Sequence, residues 1–232
     1  MYFCIMIQVE ICCNSIVSAT HAKAGGAKRI ELCTNLEIGG TTPSDEEIAY
    51  CVRQLGMRTH VLVRPRGGDF HYSDEEYEAI CNDVQRCKEL GVSAVVVGFL
   101  DEWGKIDAER TRQIVALASP MEVTFHRAFD ELEDPYAGLE TLVACGCHRI
   151  LTSGCHPTVT EGAEVLRKLV EQSKGRITIL AGGGVTPANA RGLVEHTHVE
   201  EIHGSCKTTL PDGTVVTDSQ IVEQLIQTTN TL

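Results

Sequence analysis

The chain has 232 residues, of which 43% are hydrophobic and 22% charged, a composition typical of a folded protein rather than a disordered one. Its 20 basic and 32 acidic residues give a formal net charge of −12, which argues against binding to nucleic acid or to an anionic membrane surface. The apolar opening, residues 1–7, lacks a basic flank and meets Gln8 and Glu10 at once. We therefore expect it to belong to a buried first strand, and not to a signal peptide or a membrane span.

Eleven cysteines are about 5% of the chain, below the ~8–10% that marks a disulfide scaffold. No two of them have CxxC spacing, which removes the main support for a zinc knuckle or a thioredoxin-like site. Without a secretory signal, reduced thiols in a cytoplasmic protein are expected, with a nuclear pool as well if the source is eukaryotic.

Short β-rich apolar runs alternate with amphipathic stretches from one end of the chain to the other. The predicted strands are residues 5–12, 29–33, 60–64, 94–98, 122–126, 149–152, 177–181 and 201–204. The predicted helices are residues 15–24, 45–54, 74–90, 108–118, 135–144, 160–172, 187–195 and 218–227. Helix starts are indicated by Ser44, by Ser73 with Glu76, and by Asp134 before a proline, and Gly91 is one of the stop signals.

Eight strand-then-helix units predict an α/β fold, a single (β/α)8 TIM barrel that forms one domain over residues 1–232. The alternative is a doubly wound open sheet. Its glycine-rich phosphate turn should follow the first strand, where Cys12, Cys13 and Asn14 stand instead.

Barrel strands alternate between the barrel interior and the helix layer. In the first strand, Val9 and Ile11 suit the helix layer, which puts Glu10 and Cys12 inside. The same alternation in four other strands assigns to the interior Glu31, Cys33, His60, Arg64, Thr124, His126, Glu201 and His203.

Burying so many ionisable groups without a function is costly, because pairing only partly restores the solvation that each ion loses. Active sites of this fold lie at the carboxyl ends of the strands, so we expect a functional pocket rather than a structural ionic plug. The candidate catalytic residues, expected to converge in one hydrogen-bonded network, are Glu10, Glu31, Arg64, His126, Glu201 and His203. Arg64 is expected to be the hub, as the inward cation that is certain to be charged at pH 7.

Three loops carry groups suited to an anion. Residues 64–69 offer two guanidinium groups, residues 182–184 are three glycines before a helix, and residues 203–205 follow the last strand. Loops after the seventh and eighth strands often hold phosphate in this fold. The predicted anion-binding residues are Arg64, Arg66, Gly182, Gly183, Gly184 and Ser205.

The loop after the fifth predicted strand begins at His126, a candidate acid, base or ligand. Arg127 and Asp130 are expected to order this loop. No lysine stands at a predicted inward strand end, which argues against a Schiff-base mechanism.

The chain resembles the CutC copper homeostasis family over about residues 8–205. The most specific stretches are RPRGGDF at 64–70 and TFHRAFD at 124–130. VEIC at 9–12, RIELC at 29–33, GGTTPS at 39–44, LTSG at 151–154, GGG at 182–184 and HGS at 203–205 also match. The resemblance implies a (β/α)8 barrel, a homodimer or homotetramer, and a role in copper handling.

By the same resemblance, Cu(I) is bound by cysteines of the first two strands, here Cys12 and Cys33. Cys13, predicted to face the helices, and Cys206, past the last strand, are candidates for a third thiol. The segment 206–218 is shorter than in many relatives.

Two functions stay open. One is a copper homeostasis protein that binds Cu(I), the metal that soft thiolates select. The other is a TIM-barrel enzyme, a lyase, isomerase or hydrolase, that acts on a small anionic or phosphorylated molecule. The second follows from acid and base groups that copper binding does not need.

Overall fold

Eight parallel strands follow one another around a closed barrel in chain order, and β8 pairs with β1 to complete it. The computed structural model describes residues 7–230, so the expectation for residues 1–6 lies outside the described residues. The strands are β1 Gln8–Cys13, β2 Arg29–Leu32, β3 Arg58–Leu62, β4 Ala94–Val97, β5 Glu122–Phe125, β6 Arg149–Thr152, β7 Thr178–Gly182 and β8 Glu201–Gly204.

Helices surround the barrel and confirm the predicted (β/α)8 fold. They are α1 Ile16–Ala24, α2 Asp45–Ala49 with a π-helical turn Tyr50–Gln54, α3 Asp74–Leu90, α4 Ala108–Ala118, α5 Pro135–Cys145, α6 Ala163–Ser173, α7 Pro187–Thr197 and α8 Ser219–Asn230. The predicted helix starts are confirmed by capping boxes at Ser44 and Ser73. The predicted stop at Gly91 is confirmed by its left-handed backbone conformation at the end of α3. Within residues 7–230, no helix is long and apolar enough to cross a membrane.

Two parts of the chain differ from the predicted elements. β3 begins and ends two residues earlier than predicted, because the backbone of Arg64 pairs with Thr42 and leaves the barrel ladder. Between β8 and α8, the strands β9 (Lys207–Thr209) and β10 (Val215–Thr217) form an antiparallel hairpin that the sequence did not predict.

The predicted inward and outward faces are borne out by two separate apolar clusters. Val9, Ile11 and Cys13 belong to the large cluster between the strands and the helices. A small cluster fills the inside of the barrel and consists of Cys12, Cys33, Leu62 and Val96, with Leu36 packed against it. Strand alternation therefore assigns the cysteines correctly.

Below this small cluster, the barrel interior is ionic. Arg29 lies between two carboxylates, with Nε 2.7 Å from Glu10 and Nη2 2.5 Å from Glu201. Glu201 also accepts from Arg149 at 2.9 Å. The Glu10 oxygen that faces Arg29 also lies 2.8 Å from Nδ1 of His60.

The expected hub is therefore wrong, since Arg29 and not Arg64 joins the carboxylates. Arg29 stands two residues before Glu31, so the alternation that selected Glu31 also indicates an inward Arg29. Arg64 fails as a hub because it follows β3 instead of lying on it.

Replacing Arg29 by methionine should lower the free energy of unfolding by about 3–5 kcal/mol, because Glu10 and Glu201 would stay buried without their shared cation. Urea unfolding followed by circular dichroism measures the change. The matched control is Arg58→Met, since Arg58 is about half exposed in its pair with Glu122 and should cost less than about 1 kcal/mol. Equal losses in the two variants would contradict the assigned hub.

Candidate functional site

A cavity of about 1040 Å³ opens at the carboxyl ends of the strands. Its walls come from the loops after β2, β3, β5, β7 and β8, and Cys12 and Leu62 contribute from the strands themselves. Seven sequence-predicted site residues with ionisable, thiol or hydroxyl side chains line it: Cys12, Glu31, Arg64, His126, His203, Ser205 and Cys206.

Two buried thiols face each other in this part of the barrel. Sγ of Cys12 lies 3.9 Å from Sγ of Cys33. The hydrogen bond between the thiols, burial and the nearby Glu31 together raise the pKa of Cys12 well above its usual value. The ten cysteines that the structure describes are all free thiols. Two thiols are therefore held side by side, one on β1 and one directly after β2.

Glu31 and His203 lie next to the thiols. One ligand atom each from Cys12, Glu31 and His203 lie within 4.8 Å of one another. Nε2 of His203 is 3.7 Å from Glu31, while Nδ1 is 2.9 Å from Glu10. His203 therefore bridges the ionic interior and the cavity.

Neighbouring charges set the protonation of this group. Burial lowers the pKa of His203, but Glu31 and Glu10 outweigh it and the net shift is upward. Burial also raises the pKa of Glu10, and here His60, His203 and Arg29 outweigh it, so the net shift is well downward. Glu31 keeps a raised pKa, chiefly because of burial. The pKa shifts of Glu10 and His203 thus favour the charged forms of both groups, whereas the shift of Glu31 favours its neutral form.

Arg64 is buried at the cavity wall but takes no part in the carboxylate network. Its guanidinium donates to the carbonyl oxygens of Ile38, Gly40 and Gly68 at 3.3, 3.2 and 2.6 Å. It also lies over the ring of Phe70. Arg64 therefore fixes two loops of the cavity wall against each other.

His126 follows β5 and is likewise separate from the carboxylates. Its Nδ1 accepts from the amide of Ala128 at 3.1 Å, which leaves the proton of the neutral ring on Nε2. Burial, and then the positive charge of Arg64, lower the pKa of His126 to about 3. A Cβ atom on Gly98 would lie 2.4 Å from this ring, so only glycine leaves room for it.

Of the six candidate catalytic residues, four form one connected group: Glu10, Glu31, Glu201 and His203. The expected single network of all six is wrong, because Arg64 binds backbone carbonyls and His126 is tied to its own turn.

The predicted anion-binding residues fall into two sets. Gly183, Gly184 and Ser205 line the cavity, whereas Gly182 ends β7 and packs against Leu151 and His203. Arg66 points to Glu76 at 2.5 Å and to Asp69 at 3.0 Å, so its guanidinium is held by its own loop and the start of α3.

Arg127, rather than the predicted Arg66, contributes a guanidinium group to the cavity wall. It lines the cavity beside Gly183. Its Nε donates to Asp130 at 2.7 Å and its Nη2 to Ser153 at 2.9 Å. The expected role of Arg127 and Asp130 in ordering the loop agrees with these contacts. Arg127 is held at the cavity by Ser153, which belongs to the loop after β6. The spacing of residues within TFHRAFD does not reveal that contact.

A closed parallel barrel with a polar cavity at the carboxyl ends of its strands makes this a TIM-barrel protein whose candidate site lies where that fold carries active sites. A model of the CutC family matches residues 7–208, and the chain belongs to that family.

Similar proteins come from bacteria and from animals. The family protein CutC of Chromobacterium violaceum is 47% identical over 199 residues, 86% of this chain and 81% of that protein. The copper homeostasis protein cutC homolog of Homo sapiens is 42% identical over 213 residues, 92% of this chain and 78% of that protein.

Solved structures agree on the barrel. A CutC crystal structure from Streptococcus agalactiae has a TM-score of 0.82 at 35% identity and covers 86% of this chain and 99% of its own. Phosphoribosylanthranilate isomerase of Thermotoga maritima has a TM-score of 0.63 at 15% identity, covering 98% of this chain and 100% of its own, and shares the fold alone.

The low pKa of His126 should make the folded protein less stable in acid. The unfolded imidazole takes up a proton near pH 6.5 and the folded one near pH 3, so this contribution is complete above pH 6.5 and is lost as the pH falls between these values. Unfolding free energies at pH 7 and pH 4.5 should show a loss in the parent about 2 kcal/mol larger than in His126→Asn, whose amide oxygen can still accept from Ala128.

The control for this pH dependence is His156→Asn, because His156 is exposed and meets the same water in both states. It should retain the parent's loss of stability. Imidazole nitrogen NMR shifts give a second measurement, and a His126 ring that titrates near pH 6 would contradict the assignment.

Proposed function

We propose that this protein binds Cu(I) between the thiols of Cys12 and Cys33 and takes part in copper homeostasis. The observation that carries the proposal is the 3.9 Å distance between the two sulfur atoms at the cavity. Thiolates are soft ligands that select Cu(I), whereas carboxylates suit harder cations.

The surroundings of the sulfur pair fit a bound monovalent ion. Leu62 and Val96 pack around the thiols inside the barrel and keep them from bulk water. Since the pKa of Cys12 is raised, Cu(I) must displace its proton, and binding releases a proton to solvent. His203, which shares a group of possible ligands with Cys12, is placed to offer a nitrogen as a third ligand.

Relatives give independent support for a role in copper handling. The human relative carries the name copper homeostasis protein cutC homolog, and the chain covers 78% of it. Placement in the cytoplasm and assembly into a homodimer or homotetramer, which the family resemblance implies, belong to the same proposal.

Anaerobic Cu(I) titration against bicinchoninate should show tight binding by the parent protein. The double variant Cys12→Ser, Cys33→Ser should bind Cu(I) more than about 100-fold more weakly, because losing the ligands themselves costs more than losing a residue that supports a ligand. The control is the double variant Cys81→Ser, Cys155→Ser, which removes two half-buried thiols that do not line the cavity and should bind as the parent does. If the first double variant binds as tightly as the parent, the site is wrong.

A second candidate function follows from the size of the cavity. Its volume of about 1040 Å³ is far larger than a copper ion needs and is at the upper end of the ~300–1,000 Å³ typical of small-molecule sites. A barrel enzyme acting on a small anionic molecule would use Glu31 and His203 as its acid and base, since these two titratable groups face the cavity.

A further inference from the structure

Arg127 has an unused hydrogen-bonding face at the cavity. Its Nε and Nη2 are engaged by Asp130 and Ser153, but Nη1 makes no hydrogen bond to any residue that the structure describes. A Cβ atom built on Gly183 would lie 3.5 Å from this Nη1, so the free side of the guanidinium faces the glycine loop. The side chain is 44% exposed and remains accessible from the cavity.

Asp130 holds Arg127 in this position. The carboxylate also accepts from the hydroxyl groups of Thr152 and Ser153 and from the amides of Ser153 and Cys155, the latter at 3.1 Å. These donors belong to the last residue of β6 and to the loop that follows it. Asp130 is therefore a positioning residue that joins two loops and fixes a guanidinium before any ligand arrives.

The glycine loop opposite Arg127 offers backbone donors. Gly183 and Gly184 have φ angles of +114° and +82°, a conformation that side chains other than glycine rarely adopt. Within residues 7–230, the amides of Gly183 and Gly184 donate to no backbone or side-chain acceptor. Lys207, which also lines the cavity, adds a second positive charge at its rim.

The rest of the cavity suits an organic group. Leu36, Leu62, Leu151 and Val185 also line it. A free inorganic anion would leave these apolar walls uncovered. The volume and the walls thus fit a molecule with one anionic end and a small organic body.

We infer that the cavity binds a small phosphorylated organic molecule, whose phosphate group is held by Arg127 and the amides of Gly183 and Gly184. This inference rests on the second candidate function and is independent of the copper site. A phosphate group matches the donors because its oxygens can accept from a guanidinium and from two backbone amides together. The organic part extends towards Leu151 and Leu62.

Glycerol 3-phosphate is a suitable probe, with inorganic phosphate and glycerol as comparison compounds. In amide NMR spectra of the parent protein, glycerol 3-phosphate should shift the signals of Gly183 and Gly184. It should bind more tightly than inorganic phosphate, and glycerol should leave both signals unchanged. Calorimetry should show that Arg127→Met weakens binding at least about tenfold, as expected for loss of a hydrogen bond to a charged group.

The matched control is Arg112→Met, which removes an arginine that lies on α4, is 53% exposed and pairs with Glu109. It should bind the probe as the parent does. Equal weakening in the two variants would mean that net charge alone attracts the phosphate, and this would overturn the inference. The double variant Cys12→Ser, Cys33→Ser should retain probe binding, which separates this test from that of the copper site.

Two further outcomes of the binding experiments would overturn the inference. If glycerate binds while neither phosphate compound shifts Gly183 or Gly184, the cavity takes a small anion elsewhere, so the inference fails and the second candidate function survives. If none of these compounds binds at millimolar concentration, both fail.

Discussion

The buried guanidinium of Arg29 is the constraint on which the interior of this barrel depends. Glu10 is 1% exposed, and a carboxylate at that depth is tolerated only beside a compensating charge. Arg29 is the direct partner of Glu10 in the pairing of β1 with β2, and it reaches Glu201 on β8 as well. One cation therefore links three consecutive strands around the closure of the barrel.

The ionic interior affects the cavity through the contact between Glu10 and His203. Nδ1 of His203 donates to Glu10 and Nε2 faces Glu31, so this one ring contacts both the ionic interior and a carboxyl group of the cavity. His126, on the opposite wall, has no such carboxylate and stays neutral beside Arg64. The pKa values of two buried histidines in one cavity are thus shifted in opposite directions, because only His203 has carboxylates beside it to outweigh burial.

The fold and the innermost residues of the site could be predicted because side-chain direction along a strand alternates with a period of two residues. That period assigned Glu10, Cys12 and Glu31 to the interior, and it indicated Arg29 equally well, although the prediction overlooked it. This alternation no longer predicts side-chain direction beyond the end of a strand. Arg64 lies beyond β3, so its direction depends on the carbonyl oxygens of two loops.

Contacts between loops could not be predicted for a related reason. Arg127 and Asp130 are close in sequence, but the donors that fix Asp130 are Thr152, the last residue of β6, and Ser153 in the loop that follows. Sequence spacing contains no information on how two loops meet. Arg66 was predicted because its loop offers two guanidinium groups, yet its side chain binds Glu76 and does not line the cavity.

A single cavity that contains both the sulfur of Cys12 and the glycine loop at Gly183 has a thermodynamic consequence. If the two proposed ligands interact in this cavity, the factor by which the metal ion changes the affinity for the organic anion equals the factor by which the anion changes the affinity for the metal. Neither affinity is then a fixed property of the polypeptide. A copper affinity measured in phosphate buffer and one measured without phosphate would describe two different equilibria.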